Sequence, residues 1–244
     1  MAEGRTSRDT PLDQFTAFAE LGGIVFAEHT LEAVMERIAT LAKATIPGAD
    51  EVSVTLVNGK PVTAAATGDL AVDVDQAQYG AGTGPCLDAA EATTTVLIPD
   101  MAAEERWPEF TPVAIDKGAQ SSLSIGLPVQ QRVYGALNIY SRSPNAFDGD
   151  AVTAAESFAR YAAVAVANAT LYQATAALAE QMKEAMKTRA VIDQAKGILM
   201  ATHGCDSEKA FSLLVTASQR HNRKLREIAQ GIVDSVQSNA APGG

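Results

Sequence analysis

The stretch from residue 121 to residue 142, SSLSIGLPVQQRVYGALNIYSR, decides the fold of the first part of this chain. Two apolar segments rich in β-branched residues, SSLSIGLPVQ (121–130) and VYGALNIYSR (133–142), are joined by the tight connection QQR (130–132). Segments of this composition with so short a connection predict an antiparallel β-hairpin. We therefore expect a sheet, and the rest of the chain can be arranged around it.

Three further strands are predicted before this hairpin. EVSVTLV (51–57) alternates valine and leucine with serine and threonine, and Asn58-Gly59 is a favoured turn that leads to a return strand in PVTAAAT (61–67). A short strand is predicted at 95–98. The five strands connect mostly in antiparallel fashion.

Helices are predicted on both sides of these strands. Residues 15–46 are interpreted as a helical hairpin that ends at Pro47-Gly48, because apolar residues there recur three or four positions apart. A short helix is predicted to begin near Pro85, and another lies within 106–120. The sequence thus predicts an α+β fold, with an antiparallel sheet flanked by helices.

A long helical segment follows. Residues 147–202 contain no proline and very little glycine. One row of residues at heptad spacing is apolar: Leu171, Leu178, Ala185, Ile192 and Leu199. A second row becomes charged at Arg189: Thr175, Met182, Arg189 and Lys196. This pattern predicts a connecting helix with a short coiled coil over 164–185 that brings two chains together.

The last part of the chain predicts two more helices. Asp206 is placed to cap the first, and Asn222 to cap the second. The apolar residues expected on one face of each helix are Ala210, Phe211, Leu214 and Ala217, and Leu225, Ile228, Ala229, Ile232, Val233 and Val236. Together with the end of the preceding helix, they predict a small three-helix bundle.

The charge of the chain is unevenly distributed. The formal net charge is −10, but residues 180–239 contain nine basic and seven acidic residues, against ten and twenty-two in residues 1–179. An anionic partner is therefore expected at the C-terminal end. The apolar runs fall short of the roughly 18 residues of a membrane span, and the N-terminus has no signal-type core, so we expect a cytoplasmic protein.

Residues that could carry out chemistry are few. The sequence lacks the phosphate-loop, nucleophile-elbow and zinc-protease patterns, so we expect no catalytic site and no enzyme activity. The two cysteines have no metal-site spacing, and neither a metal nor a cofactor is expected. Cys86 follows Pro85 at a predicted helix N-terminus, where it is either a small buried residue or a reactive thiol. Tyr79 and Trp107 are predicted to line a ligand pocket or to belong to the core.

Basic residues cluster at two places near the C-terminus. Arg189 and Lys196 share a stripe of one helix, and four others surround the junction of the last two helices: Arg220, Arg223, Lys224 and Arg226. Bundle packing could join these groups into a surface for phosphates, with Asn222 reading a base, although solvated polar faces give the same pattern.

Residues 189–233, RAVIDQAKGILMATHGCDSEKAFSLLVTASQRHNRKLREIAQGIV, resemble an ANTAR domain, the RNA-binding output module of bacterial transcription antiterminators. The words AKGILM, AF and SQRHNRKL occur in the family's order. The resemblance implies that residues here serve RNA contact or bundle integrity: Arg189, Lys196, Gly197, Ser218, Asn222, Lys224 and Leu225. We expect Gly197 to allow close helix approach and Leu225 to begin the apolar stripe.

Residues of roughly 12–175 resemble a GAF sensor domain, through GTGPCLDA (82–89), SLSIGLPV (122–129) and GALNIYS (135–141) followed by Phe147. The combination resembles actinobacterial regulators. The region lacks the cyclic-nucleotide signature of some relatives and the several cysteines of GAF-type methionine sulfoxide reductases, so its small ligand is left open.

The resemblance implies an antitermination regulator that binds paired hairpins in nascent messenger RNA, so that an overlapping terminator cannot form. The heptad rows add the expectation of a homodimer. A DNA-binding or protein-partner regulator with a GAF sensor is the alternative. The expected organisation is a disordered leader (1–11), a GAF domain (12–163), a helical linker (164–185), an ANTAR domain (186–238) and a flexible tail (239–244).

Overall fold

The computed structural model describes residues 13–130 and 133–240. The leader (1–11), the end of the tail (241–244) and part of the QQR connection (131–132) lie outside the described residues. The chain divides between Gln173 and Ala174 into two compact units, and each is described by itself.

The N-terminal unit combines strands and helices. Its elements, in chain order, are α1 (Gln14–Gly22), α2 (Leu31–Thr45), β1 (Glu51–Asn58), β2 (Lys60–Ala66), α3 (Asp69–Ala81), α4 (Pro85–Ala92), β3 (Thr95–Ile98), a 3-10 turn (Met101–Ala103), α5 (Thr111–Asp116), β4 (Ser121–Gln130), β5 (Val133–Ser141) and the first part of α6 (Gly149–His203).

The five strands form one antiparallel sheet in the order β2-β1-β5-β4-β3. This confirms the predicted α+β fold. Gly59 lies between β1 and β2 with a φ of +81°, a conformation that glycine adopts without strain. The hairpin β4–β5 pairs Ser121 with Ser141 at its open end and places both strands inside the sheet, between β1 and β3.

One face of the sheet is apolar and carries the main core. Val52, Leu137 and Leu123 are fully buried and belong to a cluster that also contains residues of α1, α2 and α6. Because side chains alternate along a strand, the neighbouring residues of β1, β4 and β5 point to the opposite face, where α3 and α4 pack.

Helix α3 was not among the predicted elements. Its buried residues are Leu70, Ala71, Val74, Asp75 and Gln78, of which only the first three are apolar. The sheet stabilises α3 by covering this narrow apolar stripe, whereas intrinsic propensity contributes little.

The C-terminal unit consists of the rest of α6 with α7 (Ser207–His221) and α8 (Leu225–Ala240). Its core contains Ala195 of α6, Leu214 of α7, and Ala229 and Val233 of α8. Asp206 caps α7, since its Oδ1 accepts a hydrogen bond from the backbone N–H of Lys209 at 2.8 Å. Three helices with small apolar faces thus form a bundle, as their periodicity predicts.

The length and hydropathy of helix α6 raise the question of membrane association. Within the described residues, it is the one helix long and apolar enough to cross a membrane, and 28% of its most apolar window is buried. The prediction that no segment suffices relied on unbroken apolar runs, whereas alanine and valine raise the hydropathy of α6 around polar residues such as Asn168. Length and composition alone are weak evidence for a membrane span.

Candidate functional sites

The second face of the sheet in the N-terminal unit is polar although it is buried. The side chains of Ser53 and Thr55 in β1, Ser124 in β4, and Asn138 and Tyr140 in β5 have no solvent exposure. Strand pairing sets Ser53, Asn138 and Ser124 side by side across three strands. Burying so many polar groups is unfavourable unless each is hydrogen-bonded, so this face indicates a function beyond packing.

Helix α3 contributes a carboxyl group to this face. Asp75 is fully buried, and its Oδ1 accepts a hydrogen bond from the Tyr140 hydroxyl at 2.6 Å. Its Oδ2 accepts a hydrogen bond from Thr63 Oγ1 at 2.7 Å. The Asn138 amide donates at 2.9 Å to Thr55 Oγ1 and at 3.3 Å to Asp75 Oδ1. These contacts link α3 directly to β2 and β5, and Asn138 extends the network to β1.

Several atoms near this network have no hydrogen-bond partner among the described residues: Asn138 Oδ1, Ser122 Oγ and Ser124 Oγ. An unsatisfied buried polar atom costs about 1–3 kcal/mol. Ser122 and Ser124 occupy alternate positions of β4, so they project from the same face as Asn138. The orphaned atoms thus lie together on one buried face, where each can still form a hydrogen bond.

Burial shifts the ionisation of this network towards neutral groups. Loss of solvent raises the pKa of Asp75, although hydrogen bonds from Tyr140 and Thr63 oppose the shift. Burial and the nearby Asp75 carboxyl also raise the pKa of Tyr140. The same two causes raise the pKa of the Cys86 thiol to about 12.

The three residues predicted for ligand or redox sensing lie at different depths of this region. Cys86 is the second residue of α4 and is fully buried; its Sγ lies 3.3 Å from Thr55 Oγ1, which also contacts the Tyr79 hydroxyl at 2.9 Å. Trp107 is buried in a separate apolar cluster, and its ring N–H donates to Asp88 at 3.1 Å. A thiol with so high a pKa stays protonated at neutral pH, so burial outweighs the helix dipole at Cys86.

The C-terminal unit has a groove of about 560 Å³ between α6 and α7. Its lining residues are Glu184, Ala185, Thr188, Arg189, Ile192, Asp193, Lys196 and Phe211. Asp193 contacts both cations of this groove, at 3.8 Å from Arg189 and 3.4 Å from Lys196. Arg226 of α8 pairs with the lining residue Glu184 at 2.7 Å, which brings a third predicted basic residue close to the groove.

The turn between α7 and α8 holds the other predicted residues. Ser218 Oγ donates to the backbone carbonyl of Arg223 at 2.5 Å, which fixes the turn. Asn222 was predicted to cap α8, but this assignment is wrong. It ends α7 in the left-handed conformation with a φ of +49°, where asparagine is among the few residues tolerated without much strain. Its backbone therefore has a structural role, and its side chain is exposed.

The basic residues of this turn are exposed to solvent: Arg220, Arg223 and Lys224. Arg223 makes an ion pair with Glu227 at 3.4 Å, one helical turn away. Exposed pairs of this kind are weak, so a phosphate can compete for the guanidinium. The turn thus presents cations on a unit that is less acidic than the rest of the chain.

Two expectations for the bundle are corrected by the structure. Gly197 was expected to allow close helix approach, but no atom lies within 4 Å of the position that a Cβ would occupy. Phe211 was expected to face the core with Ala210 and Leu214, yet 43% of it is exposed. The helical spacing placed Phe211 on the same face as Ala210 and Leu214, but only these two residues are buried in the bundle.

No group of three or more histidine, cysteine, aspartate or glutamate side chains that could hold a metal ion occurs within the described residues. The buried polar face of the N-terminal unit offers hydrogen-bonding groups. The groove and turn of the C-terminal unit offer charged side chains and the ring of Phe211.

Comparison with known protein families agrees with this architecture. The GAF domain model matches residues 28–167, and the ANTAR domain model matches residues 180–233. The chain belongs to the GAF domain family and carries an ANTAR domain. Together these regulatory domains define a signal-sensing regulator with an ANTAR RNA-binding output. The curated proteins include no match to this sequence.

Solved structures show the same fold for the N-terminal unit. A phycoerythrobilin-bound GAF domain from a cyanobacterial phytochrome has a TM-score of 0.52 at 14% identity, covering 67% of this chain and 98% of the other. A free methionine-R-sulfoxide reductase from Neisseria meningitidis, in complex with its substrate, has a TM-score of 0.50 at 18% identity, covering 66% and 89%. A GAF domain of a phosphoenolpyruvate-protein phosphotransferase from Coxiella burnetii has a TM-score of 0.50 at 19% identity, covering 66% and 96%.

Proposed function

We propose that this protein is an RNA-binding transcription antitermination regulator, and not an enzyme. Its ANTAR domain binds paired hairpins in nascent messenger RNA, which prevents an overlapping terminator from forming. The observation that carries this proposal is the display of exposed cations around the α7–α8 turn and the α6–α7 groove, on a chain whose net charge is −10. Phosphates attract such cations, whereas the acidic remainder of the chain repels nucleic acid.

The RNA-contacting residues in this proposal form two groups. Cations of the groove are Arg189, Lys196 and Arg226, and those of the turn are Arg220, Arg223 and Lys224. Ser218 and Asn222 hold the turn in shape, and the exposed Asn222 amide reads an unstacked base. Each phosphate contact adds salt-dependent affinity, and the turn supplies the geometry.

The GAF domain serves as the sensor in this proposal. Two of the similar structures hold a bound small molecule, and the buried polar face of this chain contains orphaned atoms that a ligand would satisfy. The network around Asp75 and Asn138 includes one carboxyl and no basic side chain among its members. We therefore propose a polar ligand that is neutral or cationic. Cys86 and Tyr79 contribute hydrogen-bonding groups beside it, and Trp107 supports the surrounding core.

We further propose a homodimer through residues 164–185 of α6. Leu178 and Met182 belong to the two heptad rows, and 57% and 59% of them are exposed in the single chain. Apolar residues at this spacing form a seam when two helices associate. A dimer places two ANTAR domains on one RNA, so that both hairpins bind with increased effective concentration.

The alternative proposal is a DNA-binding or protein-partner regulator. A protein that recognises duplex DNA presents basic and amide side chains along one face of a recognition helix. In this chain the exposed cations gather at a turn and a groove, which favours irregular RNA over a regular duplex.

The remaining parts of the proposal concern organisation and location. We propose a GAF domain over 12–163, the linker over 164–185 and the ANTAR domain over 186–238, in a regulator of the actinobacterial type. We also propose a cytoplasmic location, because the target is nascent RNA and one face of α6 in the N-terminal unit is already packed against the sheet.

A binding titration tests the RNA proposal. Full-length protein is titrated with an RNA of two short-looped hairpins, a scrambled RNA and a duplex DNA of equal length, at several salt concentrations. We expect selective binding to the hairpin RNA with a steep salt dependence. Lys196→Ala and Arg223→Ala should each weaken binding and lower the slope of log K against log salt by about 0.7–0.9. Equal binding to all three nucleic acids would contradict the proposal.

A further inference from the structure

The groove between α6 and α7 has an aromatic wall that the bundle itself does not need. The buried core of the C-terminal unit is formed by Ala195, Leu214, Ala229 and Val233, with other aliphatic residues around them. Phe211 is not part of that core, and 43% of it is exposed where it lines the groove. Its ring therefore offers the groove an aromatic surface that the core does not use.

Charges around this ring distinguish the groove from a simple apolar patch. Arg189 and Lys196 line the same groove as Phe211. The Arg189 side chain is 86% exposed, and that of Lys196 is 23% exposed. A phenyl ring flanked by two cations matches the two parts of a nucleotide, since a base stacks on the ring and the phosphates meet the cations.

Two carboxylates, Asp193 and Glu184, also line the groove, and each pairs with a nearby basic side chain in the free protein. Asp193 lies between Arg189 and Lys196 and contacts both, while Glu184 is held by Arg226. A phosphate that binds Arg189 or Lys196 competes with Asp193 for these cations. This carboxylate therefore lowers the affinity of the groove for an anion.

We propose that the α6–α7 groove binds one unstacked nucleobase of an RNA loop against the ring of Phe211, with Arg189 and Lys196 on the adjoining phosphates. This inference rests on the proposed RNA-binding function and names the residue that recognises the loop. Bases of a duplex are stacked on their neighbours, so a single exposed ring selects RNA with an open loop. Asp193 limits the affinity by neutralising the two cations in the free protein.

The test uses full-length protein and the two-hairpin RNA, with 2-aminopurine in one loop position at a time. Phe211→Leu keeps an apolar side chain but loses the aromatic face, and Phe211→Trp keeps that face. Stacking on an aromatic side chain is worth about 5- to 150-fold in affinity per base, so we expect Phe211→Leu to weaken RNA binding by that factor and Phe211→Trp to retain it. One loop position should show fluorescence quenching that Phe211→Leu removes.

Two controls separate stacking from other effects. Val236 of α8 is 45% exposed and lies in the same unit, so Val236→Ala tests whether any exposed apolar side chain matters; we expect no change in affinity. Asp193→Asn removes the competing carboxylate, and we expect tighter RNA binding with a similar thermal unfolding profile. The salt slope should be unchanged in Phe211→Leu because the ring carries no charge.

The outcomes separate this inference from the function on which it rests. If the wild-type protein binds the hairpin RNA selectively and Phe211→Leu binds equally well, the base-stacking inference is overturned and the RNA-binding function stands. If the wild-type protein binds none of the nucleic acids, both are overturned. If Phe211→Leu changes the molar mass in light scattering but not RNA affinity, the groove contacts a second copy of the chain, which also overturns the inference.

Discussion

Replacing Asp75 with asparagine should stabilise the N-terminal unit at neutral pH and leave its stability in acid nearly unchanged. Asp75 is fully buried, and burial raises the pKa of its carboxyl group. Asparagine reproduces the protonated carboxyl, because its amide can donate to Thr63 Oγ1 while its oxygen accepts from Tyr140. The substitution therefore removes a titration from the folded state and keeps the hydrogen bonds.

The size of the effect follows from proton linkage. Below a pH of about 3.9, the ordinary pKa of aspartate, folded and unfolded chains both hold the proton. Between this value and the raised pKa of the folded state, only the folded chain holds it, so the free energy of unfolding falls by about 1.4 kcal/mol per pH unit. Above the raised pKa the loss is constant. The Asp75→Asn variant has no such titration and avoids this loss, and each kcal/mol corresponds to about 2–4 °C in Tm for a unit of this size.

The assay uses the fluorescence of Trp107, since the sequence contains one tryptophan and its side chain is buried in the N-terminal unit. Thermal unfolding is followed at a series of pH values for the wild type and Asp75→Asn. Asp73→Asn is the matched control, because Asp73 lies on the same helix and forms an exposed ion pair with Lys117 at 3.0 Å. Asp73→Asn should change the free energy of unfolding by less than about 1 kcal/mol, and its difference from the wild type should not grow as the pH rises.

The opposite result, which would refute the reasoning, would be a wild-type protein that gains stability relative to Asp75→Asn as the pH rises from about 2 to about 5. That result would mean that Asp75 is ionised in the folded state and stabilised by its hydrogen bonds from Tyr140 and Thr63. A constant difference across the range would mean that burial does not shift its ionisation.

Three further predictions concern α6 and the cysteines. Gly197→Ala should stabilise the bundle by up to about 1 kcal/mol in urea unfolding, because alanine favours the helix and no neighbouring helix occupies the space of its Cβ. A destabilised variant would mean that another helix approaches closely at this position. Leu178→Lys should shift the protein from dimer to monomer in light scattering with an unchanged circular dichroism spectrum, and a persistent dimer would place the seam elsewhere. Ellman's reagent should label the partly exposed Cys205 promptly and Cys86 only after unfolding, and rapid modification of both would contradict the high pKa of Cys86.

Much of the fold could be predicted because its signals are local. Alternation in EVSVTLV, the Asn58-Gly59 turn and the capping residue Asp206 depend on a few neighbouring residues, and each leads to the element found. Helix α3 could not be predicted in the same way, because its apolar stripe is narrow and is stabilised by the sheet. Asn222 was placed correctly at the helix junction but assigned to the wrong helix, because asparagine favours both N-caps and left-handed C-caps.

The candidate sites depended more on tertiary structure. Arg189 and Lys196 were predicted to share a stripe, since a spacing of seven residues brings two side chains to one helix face. Their contact with Asp193 also follows from helical spacing, but the nearness of Phe211 does not, because α7 returns to α6 only after a turn. The exposure of Phe211 and the empty space beside Gly197 were therefore found only in the folded bundle.

Periodicity and charge are properties of short segments, so they were enough to predict the α+β class, the helical C-terminal bundle and the concentration of basic residues near its last turn. Which polar atoms are buried together depends instead on packing between distant parts of the chain. Ser53 and Asn138 are 85 residues apart in the chain and meet at 3.2 Å through strand register. Burial at that meeting point keeps Cys86 protonated and leaves Asn138 Oδ1 without a partner among the described residues, because solvent exclusion is a property of the packed unit as a whole.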